Sequence, residues 1–493
     1  MEFIMQNINS IHSEMAILHD KYILEQISHN NFFLTFSQLE KKLADCVIHI
    51  PNWEGFAKDI YIGHGIYNGN VNVFNEIKNL KNIIRFLTDK LLSDISGMNF
   101  ISTDKHHLKS FFSDCNNIDN LHIAYEVKHS INDVNKEVLN KIFYLIDKMV
   151  GARNYFVQRL GYKDFASYKC NYLFNKDPEN VKNTLEIYYH KLISSLKALC
   201  DHFGIDVKQF TDPATFRMYQ KNLVNRLSLP CFNFHLSEIL GLIFTYFNKH
   251  SQAHFSIEHE SMNRYVIRVS THNDRSFCFV IQVCQIQCTV TAISCDEIFD
   301  SSVSTTYLKS ALFHQPLGIA EIKTVVHEIG HLISIGMSSI NGGLYHSDFR
   351  ATIEIPSQLS EHIFLNELVC NTAMNESQKM VFDNFICMDV LDEMRQIEFA
   401  FIDFYLHSGV AISDLTPEKL INGSPCFFNY PTIQTKPVYL EHIISGGREG
   451  AYSLYPLNNI VAHSLSATIP PTCILDYYTN AEMLNNAIHS MII

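Results

Sequence analysis

Through roughly the first 230 residues, apolar positions recur every three and four places, as in "VNKEVLNKIFYLIDKMVGARNYFVQRL" (134–160) and "PENVKNTLEIYYHKLISSLKALCDHF" (178–203). That spacing lines one face of a 3.6-residue turn and predicts helices. Asp177 ahead of Pro178 marks the start of the second helix: the carboxylate can accept the first free N–H groups, and the proline φ already suits the first turn. Between 253 and 300 the period drops to two, in "AHFSIEH", "RYVIRVS" and "SFCFVIQVCQIQCTVTAI", with the turn signal "THNDR" between them. This predicts a small sheet. After "HQPLG" (314–318) helical spacing returns and continues to the C-terminal end, broken at "INGSP" (421–425) and "SGGREG" (445–450). The expected fold is mainly α with a small β-sheet.

Composition narrows the partners. Of 493 residues, 47% are hydrophobic and 18% charged, a balance that favours a packed core over extended disorder. The formal charge of −13 repels phosphate backbones and anionic lipid heads, so nucleic acid and membrane surfaces are not expected partners. Thirteen scattered cysteines without a CxxC pair argue against a disulfide framework or a cysteine-rich zinc module, and for a reducing compartment. Cys278, Cys284 and Cys288 fall on one face of a predicted strand and read as buried thiols. No apolar run reaches the length of about 18 residues that a membrane span needs, and "EILGLIFTYF" (238–247) reads as a core helix. The first twenty residues hold no Arg and three acidic residues, unlike a secretory signal or a transit peptide. The expected address is cytoplasmic, with a mitochondrion or mitochondrion-derived organelle as the alternative.

The run "EIKTVVHEIGHLISIGMSSINGG" (321–343) changes the picture. Ile322, Val325, Val326, Ile329, Leu332, Ile333 and Ile335 make it a helix destined for burial. On it His327 and His331 stand one turn apart and project from the same side, a spacing at which two imidazoles can share one tetrahedral zinc ion. Glu328 is rotated about 100° from His327, beside such a metal rather than on it, where a general base belongs. The competing reading is a pair of hydrogen-bonded core histidines. A third ligand is needed. The metzincin pattern wants glycine at 334 and histidine at 337, where this chain has Ser334 and Met337. Positions 350 and 351, a common place for a ligating glutamate, carry Arg350 and Ala351. Glu354, at the head of "EIPSQLSEHIF", is the first suitable carboxylate, with Asp348 as the alternative. Pro356 suits the first turn of its helix, and Glu361, two turns on, is either a hydrogen-bond partner for a ligating imidazole or an ordinary exposed helix glutamate.

"EIKTVVHEIGH" followed by "EIPSQLSEH" resembles the thimet-oligopeptidase and mitochondrial-intermediate-peptidase family of zinc metallopeptidases. "NYFVQRLGYKDFASYKCNYLFNKDPENV" (154–181) is similar to a second stretch of that family, so the resemblance covers about residues 150 to 465. It implies a zincin-like fold of two helical lobes around a deep channel that admits short unstructured peptides. The implied organisation is an N-terminal helical domain over 1–150 and a catalytic domain over 151–493, with the HExxH helix at 319–338 and the Glu-ligand helix at 353–366. It further implies one zinc ion held by His327, His331 and Glu354, Glu328 as general base, and His442, Tyr452 and Tyr455 as hydrogen-bond donors to the scissile carbonyl. The strand at 277–290 becomes a sheet edge for pairing with substrate. The implied protein is a monomeric metalloendopeptidase of short peptides, engaged in peptide degradation or presequence-type processing.

The chain departs from the family at several points. Ser334 replaces a histidine three residues after the second ligand, and Ala351 replaces an aspartate three residues before Glu354. The loop "SINGGLYHSD" (339–348) is shorter than usual. In "HIISGGREGAYSLY" (442–455) His442 matches, but Gly446 stands where the family has its first tyrosine. These changes motivate the alternative of a catalytically weakened or inactive relative that keeps zinc and binds peptides. A metal-free helical scaffold is a more distant third reading.

Overall fold

The computed structural model describes residues 136–203, 234–261, 264–271, 276–283, 293–296, 305–310, 317, 319–340, 351–371, 376–415, 421, 443 and 450–492, together with 10, 14, 103 and 107. His442, Asp348, the loop 339–348 beyond 340, and most of the glycine-rich 445–450 segment lie outside the described residues.

Local chemistry sets the helix ends. Helix α1 (Lys136–Arg159) buries Ile142, Ile146, Met149, Val150, Phe156 and Val157 along one face. It closes in a left-handed turn at Gly161 (φ 91°), where the N–H groups of Gly161 and Tyr162 return to the carbonyls of Gln158 and Val157. Helix α2 (Phe165–Phe174) is capped by Asp164, whose Oδ1 accepts the Ser167 N–H at 2.7 Å. Helix α3 (Pro178–Phe203) begins as the sequence predicts, with the Glu179 N–H donating to Asp177 Oδ1 at 2.9 Å. Helix α4 (Leu236–His250) contains the apolar run at 238–247 and buries Ile239, Leu240, Ile243, Phe244 and Phe247.

Five strands follow: β1 (Ala253–Ser261), β2 (Arg264–Thr271), β3 (Ser276–Val283), β4 (Ile293–Asp296) and β5 (Thr305–Ser310). Tyr265, Ile267 and Val269 alternate inward along β2, the period-two pattern that drove the strand assignment. The spatial order is β1-β2-β3-β5-β4, antiparallel except for the parallel β3/β5 pair. This corrects one expectation. Residues 277–283 form no edge, because β3 is hydrogen-bonded on both sides, to β2 and to β5. The edge strands among the described residues are β1 and β4.

Helix α5 (Ile319–Ile340) packs on β3, β4 and β5, and helix α6 (Ile355–Asn371) packs on α5. Helices α7 (Glu376–His407), α8 (Leu454–Thr468), α9 (Ile474–Thr479) and α10 (Ala481–Met491) complete the described chain, which is mainly α with one small sheet.

The chain forms two compact units. The first takes Met1–Tyr172, Ile402–Leu420 and Tyr430–Tyr452. Its described core is organised by Asp403, which is 1% exposed and accepts the backbone N–H groups of Gly450 (3.0 Å) and Tyr452 (2.9 Å). His407 Nδ1 lies 2.8 Å from the same carboxylate, and Arg153 donates to His407 Nε2 at 3.2 Å. The second unit takes Leu173–Phe401, Ile421–Asn429 and Ser453–Ile493, and holds the sheet and both helices of the HEIGH and EIPSQ motifs. No described helix is long and apolar enough to cross a membrane.

Candidate metal centre

Helix α5 is fixed by its apolar side. Ile322, Val325, Val326, Ile329, Leu332 and Ile333 are each at most 1% exposed, which turns the opposite side of the helix toward α6. His327 and His331 stand on that side with side chains 22% and 12% exposed, their rings edge-to-face with centroids 4.9 Å apart. Gly330 lies between them at the crossing of the two helices. A Cβ there would come within 2.6 Å of Ser357 Cα and Ser360 Oγ, and 2.8 Å of the Pro356 carbonyl. The missing side chain brings the two backbones into direct contact.

Glu354 occupies a turn at 351–354, immediately before the first residue of α6, and is 3% exposed. Asn458 of α8 clamps that turn from both ends: its Oδ1 accepts the Glu354 N–H at 3.1 Å and its Nδ2 donates to the Ala351 carbonyl at 2.9 Å. Ser357 Oγ adds hydrogen bonds to the Glu354 carbonyl (2.8 Å) and to Oε2 (3.3 Å). The carboxylate is therefore held before any ligand arrives, which lowers the ordering cost of binding one.

The resulting constellation is compact. Glu354 Oε2 lies 3.4 Å from His327 Nε2 and 3.1 Å from His331 Nε2, and the three ligand atoms fall within 4.8 Å of one another. A tetrahedral zinc ion with bonds of about 2.0–2.1 Å separates its ligand atoms by about 3.3 Å, so these donors fit a divalent metal with three protein ligands. Behind them, Glu361 Oε1 sits 2.5 Å from His327 Nδ1, the outer nitrogen of a ligand whose Nε2 faces Glu354. Burial alone would depress the His327 imidazole. The hydrogen bonds to Glu354 and Glu361, with the Glu361 and Glu328 charges, instead raise it well above the ordinary histidine range. Burial likewise opposes ionisation of Glu361, but Lys323 and His327 hold its carboxyl down at about 2. Such a concentration of negative charge around two imidazoles is the electrostatic complement of a dication.

Glu328 is half-buried on α5 and close enough to act on His327 through its charge. Tyr455 is in the first turn of α8, and its carbonyl accepts from Gln358 Nε2 of α6 at 3.1 Å, one turn beyond Glu354. Tyr452 is buried in the first unit, with its backbone N–H on Asp403. Ser334 and Ala351, two of the positions at which the sequence departs from the pattern it resembles, are both buried. Ser334, fully buried, donates to the Tyr478 carbonyl at 2.8 Å, and the Ala351 carbonyl is the anchor for Asn458.

Three residues at the centre escaped the sequence reading: Asn458, Lys323 and Asp389. Lys323 ion-pairs with Glu361 Oε2 at 3.1 Å and hydrogen-bonds Asp389 of α7. Its position four residues before His327 was a legible sign of a shared helix side. Nothing local in the sequence marks Asn458 or Asp389.

No known protein-family model matches the chain, and no curated protein matches it in sequence. Among solved structures, the chain is similar to oligoendopeptidase-F from Enterococcus faecium, at 11% identity and a TM-score of 0.36, with the alignment covering 100% of this chain and 89% of that one.

Proposed function

We propose that this chain is a zinc-dependent metalloendopeptidase of short unstructured peptides, a member of the oligopeptidase family whose HExGH and E-x-P-S-Q helices its sequence resembles. The observation that carries the reading is the convergence of His327, His331 and Glu354 within 4.8 Å, with Glu328 between the two histidines on the same helix. Zinc is the metal of choice because two neutral imidazoles and one carboxylate match its ligand preferences in hydrolytic sites.

When bound, zinc supplies the Lewis acidity that polarises a peptide carbonyl and acidifies a water. The protein contributes the rest. His327, His331 and Glu354 would hold the ion. Glu328 takes a proton from the attacking water and delivers it to the departing amine nitrogen. Tyr455, tied through its backbone to α6, is the donor proposed for the developing oxyanion. β4, an edge strand of the sheet among the described residues, replaces 277–283 as the segment suited to pairing with an extended peptide backbone.

Metal removal tests this directly. Dialysis against a chelator is expected to abolish cleavage of a quenched-fluorescent peptide library, and one equivalent of Zn²⁺ to restore it. Zinc uptake without cleavage of any library member would replace the peptidase with the peptide-binding alternative.

A further inference from the structure

The carboxylate of Glu361 divides its two oxygens between two partners. Oε1 is 2.5 Å from His327 Nδ1, and Oε2 is 3.1 Å from Lys323 Nζ. Lys323 is in turn anchored from behind: its ammonium hydrogen-bonds and ion-pairs with Asp389 of α7 and sits 6.0 Å from the ring centroid of Phe385, one turn earlier on the same helix. The chain of contacts therefore runs from the ligand His327 through Glu361 and Lys323 to Asp389. Burial works against the charge on Lys323, but Glu361, Asp389 and Asp392 together keep it protonated well above the ordinary range, so it acts as a fixed cation.

A dication in the centre would attract Glu361 as well as Glu354. A carboxylate that swung from the His327 ring onto the metal would occupy the position a water or substrate needs, and would release the ring from its orientation. Lys323 pulls the other oxygen of Glu361 in the opposite direction. We infer that Lys323, tethered by Asp389, is a positioning residue of the metal centre: it holds Glu361 on the outer nitrogen of His327, so that Nε2 faces the metal and Glu361 stays out of its coordination sphere. This inference rests on the metal-centre half of the proposed function and is independent of whether peptides are cleaved.

Charge and position predict different outcomes for its removal, which makes the test decisive. Deleting a cation near a dication should tighten metal binding and leave the coordination as it was if Lys323 contributes only its charge. Positioning requires that the coordination itself change. The experiment uses the full chain as wild type, K323M, K323R and D389N. It measures Zn²⁺ affinity by chelator competition, the visible spectrum of the Co²⁺-loaded protein, and the melting temperature of the metal-free form. For K323M the expected result is a weaker, shifted cobalt spectrum as Glu361 leaves the His327 ring and joins the metal, raising its coordination number. K323R is expected to keep the wild-type spectrum, because a cation still faces Glu361. D389N, which retains Lys323 but loosens its tether, should move in the K323M direction to a smaller extent and covers the case in which K323M does not fold. Unchanged affinity and spectrum in both K323M and D389N, with only the metal-free melting temperature lowered, would reduce the ion pair to a structural one and overturn the inference. Tighter zinc binding by K323M with the wild-type cobalt spectrum would overturn it too, because Lys323 would then act through its charge alone. A wild type that takes up neither metal would remove the metal centre itself.

Discussion

Glu328→Gln is expected to lower peptide cleavage by about 10²- to 10⁴-fold while leaving the zinc content at the wild-type level. The reason lies in the division of labour on α5. His327 and His331 carry the ligand nitrogens, whereas Glu328 is half-buried and absent from the set of converging ligand atoms. Glutamine keeps the size and the helix propensity of the side chain but cannot accept a proton from water. The loss corresponds to about 3–5 kcal/mol of transition-state stabilisation at 1.36 kcal/mol per tenfold. Initial rates on quenched-fluorescent peptides, measured beside metal content on the same preparation, read both halves of the prediction. Zinc lost together with activity would make Glu328 part of the metal's support; undiminished activity would put the base elsewhere.

Gly330→Ala is expected to destabilise the protein and weaken metal binding together. On helix propensity alone the change would be favourable by about 1 kcal/mol. Against this, the new methyl would meet Ser357 Cα at 2.6 Å and the Pro356 carbonyl at 2.8 Å, both backbone atoms at the start of α6 that no rotamer change can move aside. Relief requires α6 to retreat from α5, and overpacking of this kind costs about 1–3 kcal/mol. The same retreat draws Glu354 away from His327 and His331, so zinc affinity falls with stability. Gly241→Ala on α4 is the matched control. Among the described residues, no heavy atom beyond its own stretch of helix lies within 4 Å of its Cβ position, so there the propensity gain is unopposed and the melting temperature should rise. The pair of variants separates helix propensity from helix contact, with opposite signs expected in one thermal melt.

What the sequence could reveal followed from how local each signal is. The HEIGH helix was legible because helical periodicity alone places two histidines one turn apart against an apolar side. Glu354 was legible as the first suitable carboxylate ahead of a helix opened by Pro356, with Asp348 as the alternative, whereas the two-turn spacing left Glu361 open between an imidazole partner and an exposed side chain. The partners that hold these side chains were not legible, because they arrive from distant stretches: Asp389 is 66 residues from Lys323, and Asn458 is 104 residues from Glu354. Strand neighbours suffered the same limit. Alternation identified the β3 segment but not its pairing, and the parallel partner β5, with the mixed sequence "TTYLKS", carries no period-two pattern to announce it. Over 277–283 the expected edge failed for that reason, since strand order is set by chain crossovers and not by composition.

Elemental analysis of the purified chain and its Glu354→Ala variant, after zinc loading and exhaustive dialysis, reads out a metal centre with two imidazoles and one carboxylate as its protein ligands. One zinc per chain is expected in the wild type and close to none in the variant, with both proteins folded by circular dichroism. A folded wild type that retains no zinc, or a variant that keeps a full equivalent, would contradict it.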